Sequence, residues 1–447
     1  MSASAAVQER IGGGRGLYQW LVVGLCALVA MCDGFDTQAI AFVAPVMAKA
    51  WGMPAAGFGP VFAIGLFTGI IGSVVFGLVA DRHGRRVAII ATTALFAVGS
   101  LSTVLSRGMA DLVFYRCLTG FGLGGAIPSI VALSAEFAPP RLRATVVSAM
   151  FCGVPLGAVV GAVISVPLIR AFGWPSVFIA GGLAPLPLLP VLTAWLPESI
   201  GWLKAFGRSD EAEQIRRRAG LPAPPSDDAP PAKVVLSALL TRGRAPSTLA
   251  LWATFFLSLL LVFFLVSWMP AVAVAQTHEA SSGAAAAALL NVGGILGALV
   301  LGQLIDWLGA FEVVGSAYAL ASIGIMAVGL GSEARGSVFL FSLVGGFFGM
   351  GAQLCVVAIA ADFYPLTLRA TGVGAAMGAG RFGAIAGSLA GGAILALLGG
   401  AAQFPPILGG LALAACLAVV TAGLLKRRGQ AADAAPPRGR ISAPAND

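Results

Sequence analysis

The segment Glu136-Phe137-Ala138-Pro139-Pro140-Arg141-Leu142-Arg143-Ala144-Thr145 returns later in the chain as Asp362-Phe363-Tyr364-Pro365-Leu366-Thr367-Leu368-Arg369-Ala370-Thr371. The acid, the Phe, the Pro and the Leu-Arg-Ala-Thr run recur in register. Each copy lies between the fourth and fifth apolar run of a set of six. A weaker echo, Gly77-Leu78-Val79-Ala80-Asp81 against Gly302-Gln303-Leu304-Ile305-Asp306, follows the second run of each set. Self-similarity at fixed spacing marks a duplicated architecture. The chain therefore reads as two six-helix units in tandem.

The surroundings of these repeats decide the solvent. Of 447 residues, 58% are hydrophobic and 10% charged, whereas a soluble domain carries about 25% charged residues. A membrane helix needs about 20 apolar residues. Breaks at charge, Pro and Gly leave twelve candidates, at 17–47, 57–80, 87–106, 111–135, 144–169, 174–196, 246–275, 283–306, 311–330, 337–363, 370–398 and 404–425. The fold class is an all-α membrane protein of twelve transmembrane helices in two six-helix pseudo-repeats. Its expected divisions are an N-terminal segment 1–16, a first bundle 17–196, a linker 197–245, a second bundle 246–425, and a disordered tail 426–447. Arg10 and Arg15 before an apolar run resemble a signal peptide. Because more spans follow, this run reads as a membrane helix that stays.

Basic residues orient the chain. One side holds the N-terminus, Arg82, Arg85, Arg86, Arg141, Arg143, the linker, Arg369 and Lys426-Arg427-Arg428; the other holds Lys49, Arg107, Arg170 and Arg335. Both termini are expected in the cytoplasm. The net charge of +8 falls in short loops, which suits anionic lipid and argues against nucleic acid. The six cysteines all lie in apolar runs without a CxxC pair, so neither disulfides nor a metal site are expected. No catalytic triad, P-loop or metal cluster is present, so an enzyme is not expected and no cofactor is implied.

Charges inside apolar runs carry the functional reading, because each costs a few kcal/mol to place in hydrocarbon. Met31-Cys32-Asp33-Gly34-Phe35-Asp36-Thr37-Gln38 places two carboxylates at i, i+3 in the first run, on one helix face. Arg116 lies two turns into the fourth run and needs an anion: Asp33, Asp36 or a substrate carboxylate. Arg381 sits about 16 Å into the eleventh run at 1.5 Å per residue. It is suited to grip a substrate carboxylate with its two-pronged fork; a permanent pair with Asp36 is the alternative. Gln353 also lies near mid-depth. Trp268, with Phe263 and Phe264, could stack on an aromatic substrate or serve as an interfacial belt. Asn291 reads as a helix-to-helix hydrogen-bonding residue.

Gly77-Leu78-Val79-Ala80-Asp81-Arg82-His83-Gly84-Arg85-Arg86 resembles the signature loop of the major facilitator superfamily. Asp81, Gly84 and Arg85 are thus gating candidates across the interface of the halves, against a plain positive-inside anchor. Glu136 with Arg143, and Asp362 with Arg369, read as charge relays, and Asp306 as the second copy of Asp81. Arg116 followed by Gly120, Gly122 and Gly124 resembles the fourth-helix motif of proton-coupled members. Gly153-Val154-Pro155-Leu156-Gly157 lacks the paired glycines of drug antiporters. Pro197-Glu198-Ser199 with Trp202-Leu203 resembles an element of sugar and organic-ion porters, but Lys426-Arg427-Arg428 stands where sugar porters carry acids.

Asp33-Gly34-Phe35-Asp36 with Gln38, Ser267-Trp268-Met269-Pro270 and Gly380-Arg381-Phe382-Gly383 resemble the aromatic acid:proton symporter family. That resemblance implies a bacterial inner-membrane carrier, here expected to be monomeric, that takes up a benzoate, hydroxybenzoate or hydroxyphenylpropionate with protons. Asp33, Asp36 and Arg116 would couple protons. Arg381, Gln353, Trp268, Asp36 and Gln38 would bind substrate. A proton-antiport exporter of drugs or metabolites is the alternative on the same fold.

Overall fold

The structure, a computed structural model, describes residues 3–139, 142–221, 239–241, 244–330, 336–364, 366–398 and 404–434. Among them there is no strand. Helix α1 (Ala3–Ala50) is apolar from Leu17 onward. A 3-10 turn, Ala55–Phe58, leads into α2 (Gly59–His83). Then come α3 (Arg85–Thr103) and α4 (Met109–Phe137). Helix α5 is interrupted at Cys152 (Arg143–Phe151, Gly153–Phe172), and α6 is formed by Pro175–Leu183 and Leu188–Trp195. The second half comprises α7 (Ala245–Thr277), α8 (Ala280–Leu308), α9 (Ala310–Leu330), α10, α11 (Leu366–Leu398) and α12 (Phe404–Ala434). Helix α10 runs through Ser337–Val344, a π-helical turn Gly345–Met350, and Gly351–Phe363. Eleven of these elements have the length and hydropathy of a membrane crossing. The remaining one, α11, has 33 residues, ample for a span. In hydrocarbon every backbone N–H and C=O must be satisfied by the protein itself, and a long helix does so within one segment.

Close backbone approach, which only glycine permits, holds each half together, and the same pairs of helices use it in both. In the first half a Cβ on Gly34 would land on the Val154 backbone, tying α1 to α5, and Gly124 meets Gly69, tying α4 to α2. In the second half Gly387 of α11 meets Leu260 of α7, and Gly346 of α10 meets Leu290 of α8. The duplication seen in the loops is therefore also a duplication of helix packing. It accounts for the glycines after Arg116 as packing surfaces.

The halves touch at the end remote from the arginine-rich loops. There Phe62 of α2 packs edge-on against Trp268 of α7, with centroids 5.4 Å apart, and a Cβ on Gly392 of α11 would meet Ala56 O at 2.7 Å. Toward the arginine-rich end, Gly77 of α2 and Gly374 and Gly378 of α11 face open space. The positive-inside rule assigns that end to the cytoplasm, so the arrangement is inward-open.

The linker contains two short helices, Ile200–Ala205 and Ser209–Ala219. Ser199 caps the first by accepting from Trp202 N at 3.2 Å. The second ends on Gly220 in the left-handed region (φ 64°) and docks on α1, where Gln19 Nε2 donates to Ala219 O at 2.7 Å. The last helix runs on to Ala434, past the end expected at 425; residues 435–447 lie outside the described residues.

Candidate functional site

The two acids of α1 have different environments. Asp36 is fully buried and Arg116 is 4% exposed. Arg116 Nη1 donates to Asp36 Oδ2 at 2.9 Å. Asp36 Oδ1 and Arg116 Nε are buried without a partner among the described residues. A pair this deep is strongly destabilised by loss of either member, because the survivor is left as a lone charge. Asp33, one turn earlier, accepts from Thr37 Oγ1 at 3.0 Å and has no cation in salt-bridge contact among the described residues. Gly34 lies between the acids because its α-carbon rests on the α5 backbone at Val154.

Asp33 opens onto a cavity of about 380 Å³ between the halves. That volume falls at the small end of ligand pockets, roughly 300–1,000 Å³. Arg381 enters it from α11. Arg381 Nη1 donates to Ser73 Oγ of α2 at 2.9 Å, crossing from one half to the other. The permanent pair of Arg381 with Asp36 is thus not formed; Arg116 holds Asp36 instead. Gln353 lines the cavity below the π-helical turn, a feature often found at functional sites. Its Oε1 accepts from Ser258 of α7, whose hydroxyl also meets the Tyr318 hydroxyl of α9. The Gln353 carbonyl is thereby occupied, which leaves its NH2 as the free donor. Arg116, Thr37, Ser267 and Ser388 also reach the wall, and four phenylalanines, Phe62, Phe151, Phe255 and Phe263, supply its aromatic part.

Three expected substrate contacts are placed elsewhere. Trp268 is 1% exposed and is absent from the cavity wall; its Nε1 donates to Ser388 O at 2.9 Å, fastening α7 to α11 where the halves meet. That position excludes the interfacial-belt reading too. Gln38 is 4% exposed and exchanges both amide hydrogen bonds with Asn291 of α8. Asp36 is sealed by Arg116. Of the aromatic pair, Phe263 faces the cavity, whereas Phe264 packs against Phe404 with centroids 5.1 Å apart. Ser73, Ser258, Tyr318, Phe62 and Phe255 carry no signal of this kind in the sequence. A hydroxyl or phenyl in a membrane helix costs little and so leaves no compositional trace.

The cytoplasmic charges form a network within the first half. Glu136 is paired with Arg85 at 3.1 Å rather than with Arg143, and its other oxygen accepts from Gly201 N at 2.6 Å. Arg143 is exposed and touches no acid among the described residues; it projects from the start of α5, whereas Arg85 faces Glu136 from α3. Glu198 Oε1 accepts from the amides of Arg85 and Arg86 at 2.8 and 3.2 Å. It thus supplies an anion to the N-terminus of α3. Gly84, at φ 99°, can turn the chain there because a Cβ would collide with that carboxylate. Asp81 is exposed, and only its backbone is engaged, by Trp202 Nε1 at 3.0 Å. Its expected contact across the halves is absent among the described residues, as follows from halves parted at this end. Asp306 is likewise exposed. The side chains of Asp362 and Arg369 lie outside the described residues.

The sequence matches the family model described as Major Facilitator Superfamily over residues 26–388. The gallate transporter of Pseudomonas putida is 37% identical over 430 residues, covering 94% of this chain and 95% of its own. The 4-hydroxybenzoate transporter PcaK of Pseudomonas aeruginosa is 36% identical, covering 93% and 94%. The 3-(3-hydroxy-phenyl)propionate transporter of Escherichia coli is 37% identical, covering 84% and 87%. Among solved structures, the inward-open xylose transporter XylE of E. coli superimposes with a TM-score of 0.68 at 17% identity, covering 90% of this chain and 95% of its own; this likeness is one of fold alone. The two six-helix halves, their shared packing and these matches together establish that the chain is a multi-pass membrane transporter, not an enzyme, and belongs to the major facilitator superfamily beside carriers of aromatic acids.

Proposed function

We propose that the protein takes up a small aromatic carboxylate together with protons, by alternating access, across a bacterial inner membrane. The observation that carries this reading is that a guanidinium, Arg381, and a carboxyl with no salt-bridge partner among the described residues, Asp33, line one cavity together with four phenylalanines. A monoanion with one flat ring matches that combination: a fork for its carboxylate and ring edges and faces for its body. Relatives named for gallate, 4-hydroxybenzoate and 3-(3-hydroxyphenyl)propionate support the substrate class.

The proposed cycle assigns separate tasks to the two acids. Asp36 keeps Arg116 neutralised and holds α1 against α4. Asp33 takes a proton from outside, which removes a negative charge from the cavity and leaves the Arg381 guanidinium to the substrate anion. With charges balanced, the halves rock. The contacts at the outer end, Phe62 with Trp268 and Gln38 with Asn291, must part to face outward, while the arginine-rich loops close through Asp81. The side chain of Gln353 offers its NH2 to a ring substituent or to the carboxylate.

Right-side-out membrane vesicles loaded at neutral pH and given labelled benzoate, 4-hydroxybenzoate or gallate at acidic external pH test this reading. Accumulation above the equilibrium level, abolished by a protonophore, is expected. Uptake that never exceeds equilibration, or efflux driven by an inward proton gradient, would overturn it.

A further inference from the structure

A second cavity, of about 660 Å³, lies at the arginine-rich end, away from the central site. Its walls come from the start of α1 (Tyr18, Leu21), the start of α3 (Arg86, Val87), the end of α6 (Trp195) and the surface helix Ser209–Ala219 (Arg218). Tyr18, Trp195 and Trp202 mark the depth at which amphipathic rings collect, the boundary between hydrocarbon and water.

The charges in this cavity do not balance locally. Two carboxylates line it and both are committed: Glu198 to the amides of Arg85, Arg86 and Ser199, and Glu211 to Arg208 at 2.6 Å. Arg86 and Arg218 touch no carboxylate among the described residues. Arg86 Nη2 donates to the Thr193 carbonyl. The Arg218 guanidinium lies over the Tyr18 ring, 4.7 Å from its centroid. Each guanidinium has five N–H donors, and among the described residues most of them meet no acceptor. Two such groups around one cavity suit an anion with several acceptor oxygens, and arginine favours phosphate.

The apolar part of the lining distinguishes a lipid from a soluble ion. Trp195 is 58% exposed and Val87 46% exposed, both on membrane helices, with Leu21 and Ile90 beside them. A free phosphate would gain nothing from this apolar lip. A phospholipid would lay its acyl chains along it.

We propose that this cavity is a binding site for the phosphodiester headgroup of an anionic phospholipid of the cytoplasmic leaflet, held by Arg86 and Arg218. The site shares Glu198 and Trp202 with the network around Arg85 and the Asp81 carbonyl, so its occupant braces the linker helix against the first half. The inference holds whatever solute the central cavity carries.

Native mass spectrometry of the full-length protein in detergent tests it, with phosphatidylglycerol, phosphatidylcholine and inorganic phosphate as probes. Phosphatidylglycerol should be retained in preference to phosphatidylcholine. Retention should weaken roughly fivefold for each arginine removed, in Arg218→Gln and again in Arg86→Gln/Arg218→Gln. Arg217→Gln, on the same surface helix but paired with Glu213, should leave it unchanged. Arg218→Gln removes an exposed side chain, so its effect is readable even if the double variant is unstable. Equal retention of the two lipids, an equal loss in Arg217→Gln, or displacement of the lipid by millimolar inorganic phosphate would overturn the proposal.

Discussion

Gln38 of α1 and Asn291 of α8 donate to each other at 3.0 and 2.9 Å, a reciprocal amide pair buried on the boundary between the two halves. Neither amide faces the cavity, and both are out of reach of water. The pair belongs to the outer closure, together with Trp268 on Ser388. A side-chain hydrogen bond between membrane helices contributes about 1 kcal/mol. Gln38→Ala should therefore raise the outward-facing population roughly fivefold. Distances between spin labels on the outer ends of α2 and α8 report it; distributions identical to the parent protein would refute the latch.

Asp33 and Asp36 should respond differently to the same substitution. Asp36→Asn leaves Arg116 as a buried lone cation and should cost about 3–5 kcal/mol of stability, seen as poor yield and a lower melting temperature in detergent. Asp33→Asn removes a carboxyl without an ion-pair partner. It should fold and bind substrate but equilibrate it without accumulation in the vesicle assay. An Asp33→Asn protein that still concentrates substrate against a gradient would remove Asp33 from the coupling step.

Arg381→Lys keeps the charge but loses the fork and the reach to Ser73. A planar, two-point grip on a carboxylate becomes a point contact. KM for an aromatic acid should rise about tenfold or more, with charge-assisted hydrogen bonds worth roughly 1.5–3 kcal/mol each. Ser73→Ala should alter KM much less. Equal KM in Arg381→Lys and the parent would place the carboxylate elsewhere.

Gly34 has no room for a larger side chain, because a Cβ would overlap the Val154 carbonyl. Gly34→Val should force α1 from α5 and cost about 1–3 kcal/mol or more, measurable by thermal melting. Gly24, which faces open space, is the matched control, where the same substitution should have little effect.

The linker helix supplies a pH control. Arg216 and Arg217, hydrogen-bonded to Glu213, lower its carboxyl to about 2. A lowered folded value stabilises the helix above the ordinary carboxylate range and loses that contribution only as pH falls toward 2. Glu213 therefore stays ionised between pH 5 and 8. Glu213→Gln should leave the pH profile of uptake over that window superimposable on the parent profile, whereas Asp33→Asn should flatten it. A shifted profile in Glu213→Gln would trace the pH response to the linker.

Twelve helices, two halves and the inventory of membrane-buried charges could be read from the chain, because apolar runs of about 20 residues can satisfy their backbone in hydrocarbon as helices and make every embedded charge conspicuous. The tertiary structure alone decided which charge meets which. Asp33 and Asp36 share a helix face, yet Arg116 reaches only the second, and Arg381 extends to Ser73 in the other half. Glu136 turned from Arg143 to Arg85 for the same reason. Partner choice among side chains of like chemistry depends on helix rotation and close approach at contacts such as Gly34 on Val154, a matter of ångströms that residue spacing along one helix does not encode. Trp268 and Gln38, polar-tipped residues that suit a pocket by composition, became fasteners between halves because the helices carrying them turn those faces toward each other.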